Sequence, residues 1–238
     1  AIEVTFGGLA VRAGPDLPAP LLVSLTGAPA PATVDGAPVG HNALVRLRSG
    51  QTLRLATPPT GLRTYLAVRG GIDVAPVLGA RATDTLSGLG PAPLTAGTAL
   101  GIGPEPDAVP LTDFAPVADP PGGSVTLRAV LGPRADWVRD PRGLDRSTWT
   151  VTARSDRVGM RLTGGRLARS RDDELPSEGL VRGAIQVPPG GEPVLFLADH
   201  PVTGGYPVVA VVLDADVDLA AQVRPGQQVR FRLVEEAP

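Results

Sequence analysis

The stretch ELPSEGLVRGAIQVPPGGEPVLFLADHPVTGGYPVVAVV, residues 174–212, decides the fold that we predict for this chain. It contains two apolar runs of strand length, residues 194–198 and 208–213, with Gly204 and Gly205 between them. Buried strands that end in polar loops commonly build a small-molecule site, because the loops converge on one mouth. The alternative is a loop-rich β core whose Gly-rich turns serve no function.

Short apolar runs separated by turns continue outward from this stretch through the rest of the 238 residues. The 30 glycines and 27 prolines are spread between the runs, which favours many turns over a disordered tract. Aromatic residues make up only 3% of the chain, so Val, Leu and Ala must fill the interior. The pattern predicts an all-β chain with minor helix, as one large unit or two small ones.

A weak internal repeat favours two related units. The pattern Gly-x-x-φ-x-φ, where φ is an apolar residue, occurs at residues 50–55, 97–102 and 226–231, and each copy predicts a turn glycine that leads into a strand. The segment 105–123 is dense in Pro and acids and is predicted to link domains 1–104 and 124–238. Short helices are predicted at residues 134–139 and 217–223, the latter with Asp216 as its N-cap.

The charge and composition exclude several functions. A net charge of −2 gives no indication of nucleic acid or anionic membrane as a partner. No apolar run approaches the roughly 18 residues of a membrane-spanning helix, and the start AIEVTFGGLAV lacks the pattern of a signal peptide. There is no Cys, hence no disulfide or thiolate metal site, and only two His residues, so no metal site is predicted. A cytoplasmic location is the expectation.

Every basic residue is Arg, and the chain has no Lys. It therefore cannot carry biotin on a lysine, form a Schiff base with pyridoxal phosphate, or present a Walker A lysine. If ATP or biotin takes part in the reaction, another chain supplies the nucleotide loop or carries the biotin. GC-rich codon usage is an alternative reason for the absence, but the chemical exclusion is the same.

Acidic side chains and a histidine of the opening stretch are the candidate proton-transfer residues. Asp199 ends a buried apolar run and is a candidate general base, or else a strand-end residue that caps a turn. His200 follows it, either as a histidine oriented by Asp199 or as an ordinary turn residue. Glu178 is a further candidate carboxylate, or a solvated loop acid. The other histidine, His41, is expected on a surface loop.

Two arginines, Arg157 and Arg161, are the candidate anion-binding residues, since a guanidinium fork holds carboxylates and phosphates in a fixed geometry. The alternative is that they are solubilising surface cations. The chain has no GxSxG elbow of a serine hydrolase, and the loop GGIDVAPVLGARAT lacks the GxxxxGK[ST] pattern of a nucleotide loop.

Four segments in order carry a resemblance to a known family: RTYLAVRGGIDVAPVLGARATDTLSGLG, ARSDRVGMRL, ELPSEGLVRGAIQVPPGG and FLADHPVTGGYPVVAVV. Together they resemble the allophanate hydrolase subunit 2 family, which includes the C subunit of 5-oxoprolinase, KipA-type proteins and part of the carboxyltransferase domain of urea carboxylase. The resemblance covers nearly the whole chain. It implies two tandem cyclophilin-like β-barrel subdomains.

The resemblance also implies partners and an activity. One expected partner is a subunit 1-type protein, similar to the B subunit of 5-oxoprolinase or to KipI, and a lactam-utilisation-type A subunit is a further one. The first expectation is that the chain is a 5-oxoprolinase C subunit, which takes part in the ATP-dependent opening of 5-oxoproline to glutamate. Transfer of a carboxyl group from carboxybiotin to urea is the alternative within the enzymes. A KipA-type antagonist that binds a kinase inhibitor and does no chemistry is the alternative outside them.

Roles for individual residues follow from this expectation. Arg157 and Arg161 would hold the substrate carboxylate or developing negative charge, and Asp199, Glu178 or His200 would move protons. Gln186, Thr203 and Tyr206 would orient the substrate, and Arg81 would add a further contact.

The chain departs from the family pattern at three places. A segment like GLxTTVQDxGRxGxxxxGVxxxGAxD usually precedes the point at which this sequence starts. The usual GSRST reads GARAT at residues 79–83, which removes two hydroxyls but keeps Arg81. The usual ending of the first half is shortened to PAPLTAGTALGIG. The second half therefore keeps the better-preserved motifs.

Overall fold

The structure, a computed structural model, describes residues 1–235, which fall into two units. Unit 1 spans Ala1–Pro120, and unit 2 begins at Pro121. The division lies within residues 105–123, the segment predicted as a linker from its Pro and acid content. The limits of that linker stay a prediction.

Unit 1 is built of short antiparallel strands. They are β1 Ile2–Thr5, β2 Ala10–Arg12, β3 Leu21–Gly27, β4 Ala32–Val34, β5 Ala37–Val39, β6 Leu44–Leu47, β7 Thr52–Leu55, β8 Arg63–Val68, β9 Ile72–Asp73 and β10 Gly101–Ile102. Two four-stranded sheets have the orders β1-β8-β3-β6 and β2-β7-β4-β5, and β9 pairs with β10. Alternation sets their inner faces: Leu53 and Leu55 of β7 are buried, and Arg54 between them is exposed.

Residues 74–100 of unit 1 lie between β9 and β10 and form neither helix nor regular strand. Several large apolar side chains are exposed there, among them Leu78 at 91% and Leu86 at 60%.

Unit 2 contains the closed barrel. Its elements are β11 Val125–Leu131, a 3₁₀-helix at Ala135–Trp137, α1 Gly143–Arg146, β12 Thr148–Val151, β13 Gly159–Thr163, β14 Glu178–Gly179, β15 Ala184–Gln186, β16 Val194–Phe196, β17 Thr203–Gly204, β18 Val208–Val212, α2 Asp214–Ala220 and β19 Gln228–Leu233. The barrel order is β11-β18-β15-β16-β13-β12-β19, and β19 returns to β11 as a parallel neighbour. The predicted all-β class with minor helix is confirmed.

The interior of the barrel is filled by alternate residues of these strands. Trp149, Leu127 and Ile185 are fully buried there, and the indole Nε1–H of Trp149 donates to the carbonyl oxygen of Leu144 at 3.0 Å. The opposite side of β15, β16 and β18 has its own small apolar cluster, formed by Ala184, Phe196 and Val208 with Leu180. The barrel wall is therefore buried on both faces along these three strands.

Both predicted helices differ from the structure in type or extent. The first, predicted at residues 134–139, is a single 3₁₀ turn at Ala135–Trp137. The second begins at Asp214 rather than at residue 217, and Leu213 precedes it. Asp216 is not its N-cap, since it lies inside the first turn. Its carboxylate instead accepts hydrogen bonds from the backbone N–H, Nε and Nη2 of Arg128 at 2.7, 3.0 and 2.7 Å.

Candidate functional site

The second apolar cluster of unit 2 is covered by two very short strands. In β14 and β17, Glu178 pairs with Gly204 and Gly179 pairs with Thr203. The backbone N–H of Leu180 also donates to the carbonyl oxygen of Val202 at 2.9 Å. Leu180 anchors this flap, as we call β14 and β17, because its side chain packs on the cluster beneath.

Glu178 is held at the edge of the flap by Arg134. The Nε of Arg134 donates to both carboxylate oxygens of Glu178, at 3.0 and 3.1 Å, and Nη2 also bonds to the Oε1 atom. The hydrogen bond from Arg134 lowers the pKa of Glu178 below its ordinary value, and the Arg134 charge acts in the same direction. Glu178 is therefore a stable carboxylate at neutral pH, suited to hold a partner's N–H or a cation rather than to donate a proton.

Gln186 lies directly beneath Gly204 of the flap. It is 4% exposed, and its Nε2 donates to the carbonyl oxygen of Tyr206 at 2.9 Å. A Cβ atom at Gly204 would lie 2.8 Å from that Nε2 and 2.8 Å from Cδ1 of Leu180. A side chain at Gly204 would therefore have to displace the ends of these two buried side chains. The Gln186 amide fixes the backbone of the loop that bears Thr203 and Tyr206.

The side chains of Thr203 and Tyr206 themselves are exposed, and Tyr206 is 46% exposed. Both lie on the solvent side of the loop that Gln186 holds from below. They are open to a ligand or to a partner chain.

Asp199 and Arg157, two residues singled out from the sequence, bind each other. Nε of Arg157 lies 2.9 Å from Oδ2 of Asp199, and Nη2 lies 3.3 Å from Oδ1. The backbone N–H of Asp199 also donates to the carbonyl oxygen of Arg157 at 3.1 Å. A substrate carboxylate at Arg157 would therefore have to share or displace this forked ion pair.

His200 is oriented by the backbone and not by its neighbour Asp199. Its Nδ1 lies 2.9 Å from the carbonyl oxygen of Pro201. A carbonyl oxygen only accepts, so this contact is a hydrogen bond when Nδ1 bears the proton. In the neutral ring, Nε2 is then the free acceptor, which is the form a general base needs.

Arg161 extends from β13 and is exposed, opposite Val194 of β16. Its backbone N–H donates to Oγ of Ser155 at 3.1 Å. The side chain lines a shallow depression of about 170 Å³ together with Arg154 and Glu192. Arg161 therefore contacts a different set of residues from the Arg157–Asp199 pair.

Arg81 belongs to unit 1, whereas the other predicted site residues belong to unit 2. It lies within residues 74–100, is exposed, and its Nε donates to the carbonyl oxygen of Val74 at 2.8 Å. A bridge between Val77 and Ala80 shapes the turn that precedes it. The one contact of its guanidinium that is seen is with its own loop.

Sequence reasoning missed Arg134, Arg154 and Glu192. Arg134 is 44 residues from Glu178, and no local pattern indicates that they meet. Arg154 lies in the segment ARSDRVGMRL, in the connection between the paired strands β12 and β13, so its place near Arg161 could have been inferred from a predicted hairpin.

The described part of the chain has neither a cluster of metal-binding side chains nor a helix able to cross a membrane. Among residues 1–235, no three His, Asp or Glu side chains lie close enough together to hold a metal ion. In the same part of the chain, no helix has the length and apolar character needed to cross a membrane.

Comparisons with known proteins cover nearly the whole chain. A family model described as carboxyltransferase domain, subdomain A and B, matches residues 1–233. The chain is 37% identical over 238 residues to the C subunit of 5-oxoprolinase from Escherichia coli, a match covering 97% of this chain and 74% of that protein. It is 31% identical over 258 residues to the urea amidolyase of Saccharomyces cerevisiae, covering 97% of this chain and 14% of that protein.

A solved structure gives the same result for the fold. The crystal structure of TTHA0988 matches with a TM-score of 0.85 and 32% sequence identity. The match covers 97% of this chain but only 44% of the TTHA0988 chain, so this chain spans less than half of that protein.

Proposed function

This chain belongs to the carboxyltransferase-domain family with subdomains A and B, and on that premise we propose that it is the C subunit of an ATP-dependent 5-oxoprolinase. The reaction opens the cyclic amide of 5-oxoproline to give glutamate. The observation that carries the proposal is the 37% identity to the 5-oxoprolinase C subunit of Escherichia coli, which extends over 97% of this chain and 74% of the relative.

The proposed enzyme is a cytoplasmic complex in which this chain is one of several subunits. A B subunit of the subunit 1 type and a lactam-utilisation-type A subunit are its partners, and neither nucleic acid nor membrane takes part. Exposed apolar side chains support a partner surface, including Leu78 and Leu86 of residues 74–100 and Leu111, which is fully exposed.

ATP acts through a different chain of this complex. The present chain has no Lys and no GxxxxGK[ST] loop, so its residues do not fit a Walker A phosphate site.

Within unit 2, the residues around the flap and the barrel rim supply the substrate contacts. Nε2 of His200 is the base, and Asp199 and Glu178, each paired with an arginine, hold negative charge in the site. Gln186, Thr203 and Tyr206 position the substrate through the loop that Gln186 fixes. Arg157 and Arg161 bind negative charge, and Arg161 is the more available because Arg157 is engaged by Asp199.

Reconstitution tests the function directly. This chain would be purified together with its two proposed partner chains from the same source, and glutamate formation from 5-oxoproline would be measured with and without ATP. We expect turnover that needs ATP and all three chains. An active mixture of the two partner chains that this chain neither joins nor stimulates would refute the proposal.

A second function, carboxyl transfer to urea, is favoured by the 31% identity to the urea amidolyase of Saccharomyces cerevisiae. The absence of Lys here requires that biotin be carried by another chain in that case. The same preparation would be assayed with urea and a carboxybiotin-bearing protein. Turnover with urea but not with 5-oxoproline would favour this second function.

A further inference from the structure

The depression beside Arg161 combines opposite charges with an apolar floor. It lies where β13, β16 and residues 188–192 meet, on the outside of the barrel. Its main lining residues are Arg154, Arg161, Leu162, Pro188, Glu192 and Val194. Val194 is half-buried and gives the floor its apolar character, whereas the side chain of Leu162 points into the core of the barrel.

The two arginines of the depression are not neutralised by the protein. Among residues 1–235, neither the Arg154 nor the Arg161 guanidinium has an acidic group within ion-pair distance. Elsewhere in unit 2 arginines at comparable positions do, as Arg134 pairs with Glu178 and Arg157 with Asp199. Two guanidinium groups facing one small depression form a site that favours a carboxylate or another small anion.

Glu192 makes the depression selective among anions. Oγ1 of Thr163 donates a hydrogen bond to Oε1 of Glu192 at 2.9 Å. This bond orients the carboxylate and leaves Oε2 to accept a hydrogen bond from a ligand. A simple anion such as phosphate would be repelled by this group. A ligand that has a carboxylate at one end and an N–H donor at the other would complement both the two arginines and the Glu192 carboxylate.

We propose that this depression binds a small cyclic amide that bears a carboxylate, the class to which 5-oxoproline belongs. Arg154 and Arg161 hold the carboxylate, Glu192 accepts the ring N–H, and the ring methylenes lie on Val194. The inference rests on the proposed function for the choice of ligand. It assigns the substrate carboxylate to a pair of arginines that excludes Arg157.

Calorimetric titration of the full chain with 5-oxoproline tests the arginines. Arg154→Gln and Arg161→Gln are each expected to weaken binding about tenfold or more, which is the usual loss for one charge-assisted hydrogen bond. Arg230→Gln is the matched control, because Arg230 is also an exposed arginine on the barrel wall but lies outside this depression. Melting temperatures of the variants would verify that each is folded.

A lactone analogue, 5-oxotetrahydrofuran-2-carboxylate, tests Glu192, since it keeps the carboxylate but has no ring N–H. The wild-type chain is expected to prefer 5-oxoproline over the lactone by about tenfold. Glu192→Ala should abolish this preference while retaining affinity for the shared carboxylate. A merely structural role for Glu192 would weaken both ligands equally.

Three results would overturn the site: no binding of 5-oxoproline to the wild-type chain, binding unaffected by the Arg154 and Arg161 variants, or equal loss in the Arg230 control. The turnover of the reconstituted three-chain mixture separates this inference from the proposed function. Full ATP-dependent turnover with the Arg154 and Arg161 variants would refute the site and leave the function standing. Arg-dependent binding without any turnover in the wild-type mixture would refute the function alone.

Discussion

At the scale of single residues, unit 2 is organised by ion pairs that join distant parts of the chain. Arg134 and Glu178 are 44 residues apart, Arg157 and Asp199 are 42 apart, and Arg128 and Asp216 are 88 apart. The sequence singled out Glu178, Asp199 and Arg157 from local pattern alone. The sequence could not reveal the ion-pair partners of these residues, because the closure of the barrel decides which strand ends lie next to each other.

The Arg134–Glu178 pair predicts a pH-dependent stability difference. A carboxyl whose pKa is lower in the folded protein stabilises the fold above its unfolded pKa and stops doing so as the pH falls through the folded value. The pKa of Glu178 is lowered from its ordinary 4.5 by Arg134. Glu178→Gln should therefore be less stable than wild type at pH 7, and the difference should shrink as the pH falls below 4.5. Urea unfolding at several pH values measures this. A difference that stays constant down to pH 2 would contradict it.

The Arg128–Asp216 pair predicts an effect on stability at a carboxylate that is less exposed than Glu178. Its carboxylate, 12% exposed, accepts hydrogen bonds from the backbone and side chain of Arg128. Asp216→Ala should lower the free energy of unfolding by about 1.5–3 kcal/mol, the range for hydrogen bonds to a charged group. Asp218→Ala on the same helix is the control, since Asp218 is 86% exposed and its pairing with Arg182 should contribute less than about 1 kcal/mol. Equal losses in the two variants would refute the assignment.

At the scale of elements, alternation predicted the longer strands well. Leu53-Arg54-Leu55 in β7 and Trp149 with Val151 in β12 show the inside–outside pattern that the sequence implies. The two strands of the flap, β14 and β17, were not predicted, because two residues are too few to display any periodicity. The start of α2 was misplaced for a related reason: Asp216 resembles a capping residue, but its carboxylate is used by β11 instead.

The flap yields a prediction about glycine. Gly204→Ala would put a methyl group 2.8 Å from both Gln186 Nε2 and Leu180 Cδ1, so either these two buried side chains or the flap must shift. We expect a loss of about 1–3 kcal/mol in the free energy of unfolding, as for other overpacked sites. Gly179→Ala in the paired strand is the control, because a Cβ there has nothing within 4 Å and should change stability by less than about 0.5 kcal/mol. Chemical denaturation compares the two, and a neutral Gly204→Ala would show that the contact is not tight.

At the scale of the whole molecule, the fold class and the family could be read from the sequence, while the candidate site could be read only in part. The turn glycine followed by an apolar-alternating segment recurs before β7, β10 and β19, as the weak repeat predicted. Arg161 was identified from its motif, but Arg154 and Glu192 were not. Their proximity is created by the pairing of β12 with β13 and of β13 with β16.

Unit 2 should fold without unit 1. Its barrel strands pair only with one another, and its main core, from Val125 to Phe231, lies wholly within the unit. A fragment that begins at Pro121 is expected to show dispersed amide resonances and a cooperative thermal transition. A fragment that begins at Pro133 is the control, since it lacks β11 and so leaves β18 and β19 each with only one of their two neighbours. Failure of the longer fragment to fold would contradict the prediction.

The closed barrel has a consequence for how the chain exchanges its amide hydrogens. Each of its seven strands has a neighbour on both sides, whereas the four-stranded sheets of unit 1 end at β1, β6, β2 and β5. A strand of the barrel can detach only when both of its ladders part, whereas an outer strand of unit 1 detaches when a single ladder opens. In deuterated water, mass spectrometry should therefore show that, among peptides that contain strands, those from the outer strands of unit 1 take up deuterium first. Peptides spanning β15 and β16 should be among the last to gain mass.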